Sequence, residues 1–310
     1  MVSAAEAEFT AAVAPFHREV TAHCYRMLGS LTDAEDVVQE TWMRAWQAWP
    51  GFRPRSDDRG RSVRAWLYKI ATNRCLTFLG RAARRELPTT AEAQEVRWLE
   101  PLPDDRMAYA DQLDPAERLV AWESVELAFL VALQHLPPRQ RAALLLREVL
   151  GYSAVETADL LDTSVASVNS ALQRARVVRE RPVPDRSAPE TADLARRYAA
   201  AWEAGDVEAI VAMLAEDARF SMPPLPEWYA GRAAIREFLV TGPLTYRWRF
   251  LPARANGMPA FATYHWDGTA YTPMGLDVLT IRDGAVREVV SFLQADVADF
   301  GLPSRIEGER

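Results

Sequence analysis

The sequence is poor in the residues that build metal sites and disulfide frameworks. It contains only two cysteines and four histidines among 310 residues. Cys24 and Cys75 cannot by themselves form a disulfide framework or complete a zinc site, so we expect no metal site and no metal or organic cofactor. Apolar runs are short as well, and none approaches the roughly 18 to 20 residues of a transmembrane helix. The acidic N-terminus lacks a signal-peptide pattern. These absences predict a cytoplasmic protein with no membrane partner.

Lysine is almost missing, since Lys69 is the only one among 36 basic residues. The chain is acidic overall, with a net charge of -7, which argues against a nucleic-acid partner. The positive charge is concentrated, however, because residues 51–85 hold ten basic side chains against Asp57 and Asp58. A second arginine cluster occupies residues 174–181. One such run taken alone is as often a solvated face as a binding surface, but two in an acidic chain favour a polyanionic partner.

The pattern of apolar residues divides the chain into three domains. Residues 6–85 show the three- and four-residue spacing of amphipathic helices, and Thr32 followed by Glu35 predicts a capping box. Residues 86–113 are rich in proline and acids and predict a linker. Residues 114–180 predict a second helical domain, and residues 181–189 a second linker.

Residues 190–300 predict an α+β domain. Three short helices are expected at Leu194–Trp202, Val207–Leu214 and Gly231–Val240, followed by four strands. The strands are expected at Leu244–Arg254, Pro259–Trp266, Tyr271–Arg282 and Ala285–Gln294. The dipeptides Asn256-Gly257, Asp267-Gly268 and Asp283-Gly284 are typical of hairpin turns. We therefore expect an antiparallel meander that curves over the helices.

A helix-turn-helix is predicted in the second domain. Ser153 is expected to cap a short helix that ends at Leu161, and Thr163-Ser164 to form the turn before a third helix. We expect Val155, Ala158, Leu160 and Leu161 to face inward. The outward positions of the third helix are Ser164, Ser167, Asn169, Ser170, Gln173 and Arg174. Such side chains can reach base edges in the major groove, although a plain helical bundle with a polar face fits the same pattern.

Five ordered segments of these helical domains resemble sigma-70-family RNA polymerase sigma factors of the extracytoplasmic-function (ECF) type. Asp33–Trp42 and Ala65–Leu76 resemble sigma region 2. Leu136–Arg141, Gly151–Ala158 and Ser167–Arg176 resemble region 4. The resemblance implies promoter-specific transcription initiation, with core RNA polymerase and promoter DNA as partners. Family members often carry basic residues at the positions of Asn169 and Ala171, so we expect weaker phosphate contact by this helix.

The resemblance also assigns residues to partners. Region 2 would bind the polymerase β′ clamp and the −10 element, and region 4 the β flap and the −35 element. For the clamp we predict Asp33, Glu35, Asp36, Gln39, Glu40 and Trp42. For the −10 element we predict Arg64, Lys69, Asn73, Arg74, Thr77 and Arg81, and for the −35 element the six outward residues of the third helix. Without the family match, an acidic helix face would carry little weight.

The third domain resembles the SnoaL-like, ketosteroid-isomerase-like superfamily of cone-shaped α+β domains, mainly through Glu227–Ile235. The resemblance implies a pocket, for which we predict Trp228, Tyr229, Tyr264 and Asp277, and a place for a small-molecule ligand. Asp277 and His265 are the candidate acid or base of an enzyme, but a structural carboxylate is the commoner role. Our main interpretation is a sigma factor that the third domain regulates in cis, with no catalytic residue. The alternative is a small-molecule enzyme of the ketosteroid-isomerase-like class with a helical DNA-binding front end.

Overall fold

The computed structural model describes residues 4–54, 57–85, 99–175 and 189–308. The described residues fall into two compact units. The first comprises those of 1–99 and 105–181, and the second those of 100–104 and 182–310. The arginine cluster at 174–181 and both predicted linkers therefore lie partly outside the described residues. No helix in the described ranges is both long enough and apolar enough to cross a bilayer.

The first unit is entirely helical, as predicted. Its N-terminal half contains α1 (Ala4–Val13), α2 (His17–Leu28), α3 (Leu31–Ala48) and α4 (Arg59–Arg85). The connection that follows includes a 3₁₀ segment at Asp104–Gln112. The second half contains α5 (Pro115–Glu123), α6 (Leu127–Gln134), α7 (Pro138–Leu144), α8 (Ala154–Leu160) and α9 (Val165–Ala175), with a π-helical turn at Leu145–Val149 after α7.

The junction of α2 and α3 corrects one prediction. Gly29 ends α2 with a φ of 77°, and its N–H donates to the carbonyl of Tyr25 at 2.7 Å. Helix α3 then begins at Leu31, two residues earlier than an N-cap at Thr32 would allow. Its N-cap is Ser30, whose Oγ accepts from the N–H of Asp33 at 3.0 Å. The predicted capping box of Thr32 and Glu35 is therefore wrong.

The predicted helix-turn-helix is formed by α8 and α9. Ser153 caps α8 in a reciprocal capping box with Glu156, which satisfies two backbone N–H groups at the start of this short helix. Ala158, Leu160 and Leu161 are buried as expected. Val155 is 62% exposed, so its predicted inward orientation is wrong. It lies in the first turn of α8, on the solvent side.

The second unit packs helices against one mixed sheet. The helices are α10 (Pro189–Ala204), α11 (Val207–Met213) and α12 (Arg232–Thr241). The strands are β1 (Leu214–Ser221), β2 (Trp228–Ala230), β3 (Trp248–Ala255), β4 (Met258–Trp266), β5 (Ala270–Arg282), β6 (Ala285–Phe292) and β7 (Ile306–Glu307). The strand order is β2-β1-β6-β5-β4-β3, and β7 pairs with β5.

The antiparallel meander is correct for β3 to β6 but incomplete for the sheet. Asn256-Gly257 and Asp283-Gly284 adopt φ values between 53° and 73° in their hairpins, as such turns require. Strand β1 was not predicted, and it pairs in parallel with β6. The sheet is therefore mixed. Buried residues of α10, α11, α12 and the sheet form one hydrophobic core that includes Tyr198, Trp202, Ile235, Phe250, Phe261 and Leu279.

A short segment of the predicted first linker belongs to this second unit. Leu102 is fully buried there. Its N–H donates to Oδ1 of Asn256 at 2.9 Å, and its carbonyl accepts from the N–H of Asn256 at 2.8 Å. Asp104 accepts from the N–H of Gly257 at 2.7 Å and pairs with Arg254 at 2.9 Å. We call residues 100–104 the connector segment.

Candidate nucleic-acid interface and C-terminal cavity

The residues predicted to bind the polymerase clamp lie along α3, on a face that is partly exposed. Glu35, Asp36 and Gln39 are exposed, whereas Asp33, Glu40 and Trp42 are half-buried. Two of the acids have partners, since Glu35 pairs with Arg106 and Glu40 with Arg74, each at 2.9 Å. The face thus carries acidic groups, but ion pairs already hold part of its charge.

Two exposed apolar side chains on α3 were missed by the sequence analysis. Met43 is 53% exposed and Trp46 is 40% exposed. They follow Gln39 at steps of four and seven residues, so they share its side of the helix. Exposed apolar groups beside polar ones are typical of a protein-binding surface. The helical spacing from Gln39 could have identified them.

The six residues predicted for the −10 element all lie on one helix, α4, but their environments differ. Arg81 is exposed, and Lys69, Asn73 and Thr77 are half-buried. Nε of Arg64 donates to the two carboxylate oxygens of Glu19 at 2.9 and 3.1 Å. Its guanidinium lies 5.0 Å from the ring centre of Tyr68 and 5.8 Å from that of Tyr152. Arg64 therefore links α2, α4 and the start of α8.

Several polar contacts join α4 to the helix-turn-helix within the first unit. Nζ of Lys69 lies 2.5 Å from Oδ1 of Asp162 and donates to the carbonyl of Asp159 at 2.9 Å. Arg61 pairs with Glu156 at 2.8 Å. Lys69, which was predicted to contact the −10 element, is therefore bound to the end of α8 and to the turn that follows it.

All six residues predicted for the −35 element are exposed, five of them on α9 and Ser164 immediately before it. Its buried side is anchored by Val168, which is 1% exposed. Ser164 has a local role, because its Oγ accepts from the N–H of Ser167 at 3.2 Å and lies 3.0 Å from the hydroxyl of that residue. Asn169 and Gln173 are spaced one turn apart and remain the candidates for reading bases.

The second unit contains a cavity of about 330 Å³. Its lining comes from α10, α12, the sheet and the loops beside them. The lining residues are Trp202, Phe220, Met222, Phe238, Pro243, Tyr246, Trp248, Phe250, Thr263, His265, Met274, Asp277, Ser291 and Leu293. Asp277, one of the four predicted pocket residues, is among them. Burial raises the pKa of its carboxyl to about 7, against a hydrogen bond from Ser291 that lowers it.

The other three predicted pocket residues lie outside this lining. Trp228 is on the edge strand β2 and is 65% exposed. Tyr229 stacks on Phe238, with ring centres 4.2 Å apart, and the ring of Phe238 is the one that lines the cavity. Tyr264 alternates in β4 with Thr263 and His265, which do line the cavity, so it faces the other side of the sheet. Its hydroxyl donates to the carbonyl of Pro303 at 2.8 Å.

Histidines and cysteines within the described ranges do not assemble into a metal site. No group of three or more His, Cys, Asp or Glu side chains there could hold a metal ion. His23 is fully buried, and its Nε2 lies 2.9 Å from Oγ1 of Thr72. Cys24 and Cys75 are both buried free thiols.

Comparison with known proteins assigns all three parts of the chain. Residues 12–85 match sigma-70 region 2, residues 126–177 match sigma-70 region 4, and residues 195–289 match the SnoaL-like domain. The ECF RNA polymerase sigma factor SigG of Mycobacterium tuberculosis is 44% identical over 322 residues, which cover 96% of this chain and 85% of SigG. SigJ of the same organism is 32% identical over 200 residues, covering 64% of this chain and 59% of SigJ.

A solved structure extends the likeness to the fold. The crystal structure of Mycobacterium tuberculosis SigJ covers 94% of this chain and 99% of the SigJ chain, with 26% identity and a TM-score of 0.61. Helical sigma domains followed by a SnoaL-like domain of helices and sheet are thus confirmed, and the relatives favour a sigma factor over the enzyme alternative. The chain belongs to the family of ECF RNA polymerase sigma factors, with a SnoaL-like domain at its C-terminal side.

Proposed function

We propose that this sigma factor recognises the −10 element through α4 and the −35 element through α9, and that the SnoaL-like domain regulates it in cis. The α3 face would bind the β′ clamp of the polymerase, and region 4 the β flap, in the cytoplasm. Exposed polar residues on α9 and the basic character of α4 support the DNA contacts. The connector segment carries the regulatory part of the proposal.

Contacts between region 2 and region 4 define what would be regulated. The names of the −10 and −35 elements place them about 25 base pairs apart, which corresponds to about 85 Å of duplex at 3.4 Å per base pair. Lys69 on α4 and Asp162 beside α9 are 2.5 Å apart. Both regions cannot reach their elements while this pair is intact. Promoter binding therefore requires the two regions to separate.

Through the connector segment, the SnoaL-like domain could control how far region 2 and region 4 separate. Residues 100–104 lie between region 2 and region 4 in the chain, yet they are hydrogen-bonded into the SnoaL-like domain. Docking of this segment shortens the free length of chain that joins the two regions. A change in the SnoaL-like domain that releases the segment would thus alter how far the regions can part.

The experiment that tests the proposal is reconstituted transcription. Purified protein is added to core RNA polymerase with a library of promoter fragments, and transcripts are sequenced. We expect core-dependent initiation from a defined set with shared −10 and −35 sequences. Failure to bind core polymerase, or initiation without any promoter preference, would rule the proposal out.

Arg81 provides a test of phosphate contact by α4. Replacing it by alanine should weaken holoenzyme binding equally across promoter sequences and flatten the slope of log affinity against log salt by about 1. The matched control is Arg287→Ala, an exposed arginine of β6 that pairs with Asp217 at 3.0 Å; it should leave the slope unchanged. An unchanged slope for Arg81→Ala would place that side chain on a merely solvated face.

Substitutions on α9 test base reading. Asn169→Ala or Gln173→Ala should change the preference among −35 sequences by about 1–3 kcal/mol, the discrimination of one bidentate contact. Ser164→Ala is the contrast, because its hydroxyl accepts from the backbone of Ser167. It should weaken binding to all −35 sequences alike through loss of the cap. If all three variants keep the −35 sequence preference of the unaltered protein, base reading by α9 is contradicted.

A further inference from the structure

The cavity of the SnoaL-like domain combines aromatic walls with one buried carboxyl group. Trp202, Phe238, Tyr246, Trp248 and Phe250 present rings to a space of about 330 Å³. That volume is within the range of small-molecule sites. None of the lining residues is a lysine or arginine, so the cavity offers no such side chain to attract an anionic ligand.

The carboxyl group of Asp277 lacks a counter-ion in this lining. It is 2% exposed and sits in the middle of β5, opposite Phe261 on β4 and Ser291 on β6. The titratable groups around it are the buried hydroxyl of Tyr198 on α10, which interacts with it electrostatically, and His265 across the lining. A buried carboxylate with only a hydroxyl partner is costly, and this cost is what raises the pKa of Asp277.

We propose that this cavity binds a protonated amine with an apolar ring body, whose ammonium group pairs with Asp277. The ligand supplies the missing positive charge. Aromatic rings attract a cation through their quadrupoles and cover an apolar body, and the lining supplies several of them. Binding of the amine does not depend on the proposed function. Only its consequence, that the bound ligand regulates transcription in cis, rests on that function.

An uncharged ligand is the competing class, and the pH dependence separates the two. Such a ligand would accept a hydrogen bond from protonated Asp277. Its affinity would fall as the pH rises through about 7. An ammonium ligand requires ionised Asp277, so its affinity should rise over the same interval.

The experiment measures binding of three probes with one ring system to the full-length protein by calorimetry. The probes are 1-naphthylmethylamine, its neutral isostere 1-naphthylmethanol and the anion 1-naphthoate. At pH 8 we expect the ammonium to bind at least about ten times more tightly than the alcohol, and the anion least. Lowering the pH from 8 to 5.5 should weaken amine binding about 30-fold, because the ionised fraction of Asp277 falls by that factor. Asp277→Asn should abolish the preference for the amine.

The charge and pH series use the unaltered protein, so they stand even if Asp277→Asn does not fold. Equal binding of amine and alcohol, an affinity that rises toward low pH, or no binding of the amine at millimolar concentration would overturn the proposal. Transcription separates this failure from failure of the proposed function. A protein that binds the amine but shows no core-dependent initiation retains the site and loses the sigma-factor proposal; initiation without amine binding has the opposite meaning.

Discussion

Lowering the pH from 7.5 to 5 should reduce the free energy of unfolding of the helical unit by about 2 kcal/mol through His23 alone. His23 on α2 is 0% exposed, and its ring meets the edge of Tyr68 at 5.1 Å. Burial, with the positive charges of Arg26 and Arg64, lowers its pKa from 6.5 to about 3. The folded state therefore holds a neutral imidazole at neutral pH.

The sign follows from proton uptake on unfolding. Between pH 3 and 6.5 the unfolded chain binds a proton at His23 that the folded chain does not. The stabilising contribution is complete above pH 6.5 and is lost as the pH falls toward about 3. Urea unfolding at several pH values, with hydrogen exchange of α2, measures it. His23→Gln removes the titration and should flatten this part of the profile, although it also lowers stability at pH 7.5.

The SnoaL-like domain supplies an internal control of opposite sign. The pKa of Asp277 is raised from 3.8 to about 7, so its contribution is present below 3.8 and is lost as the pH rises through about 7. Between pH 5 and 7.5 it should cost β5 about 2–3 kcal/mol of stability. The hydrogen-exchange protection factors of α2 and β5 should thus change in opposite directions with pH. If α2 is no less protected at pH 5 than at pH 7.5, His23 is not held neutral by the fold.

Local pattern was sufficient for the elements that depend on local chemistry. The hairpins at Asn256-Gly257 and Asp283-Gly284 follow from a φ that asparagine, aspartate and glycine tolerate, and α8 follows from the cap at Ser153. Strand β1 was not predicted, because Leu214–Ser221 carries two adjacent acids and pairs in parallel with β6, about seventy residues away. Such a pairing leaves no signal in the segment itself.

The site residues show the same division. Helical spacing predicted the outward residues of α9 and Ser164 just before it, and all six are exposed. The cavity depends on which face each strand residue takes. Tyr264 was predicted to line the cavity, but it alternates in β4 with Thr263 and His265, which do line it, and therefore faces the other side of the sheet. Partners of Lys69 and Leu102 lie 93 and 154 residues away, so sequence reasoning could identify the charge and the linker but not their contacts.

Asn256→Gly should loosen the connector segment without disturbing the hairpin that holds it. Asn256 has a φ of 56°, which glycine adopts readily, so the turn is retained. The substitution removes the Oδ1 atom that accepts from the N–H of Leu102. A buried N–H without an acceptor costs about 1–3 kcal/mol. The Leu102 amide should therefore exchange about 5- to 150-fold faster, as measured by hydrogen exchange.

The matched control is Asp283→Gly, which replaces the residue at the same position of the hairpin between β5 and β6. Asp283 has a φ of 53° and pairs only at the surface, with Arg287. It should leave the exchange of Leu102 unchanged. If the connector segment restrains regions 2 and 4, Asn256→Gly should also change core-dependent transcription several-fold while Asp283→Gly does not. Faster exchange at Leu102 with unchanged transcription would show that docking of the segment is only structural, because the hold would then be loosened with no effect on the separation that promoter binding requires.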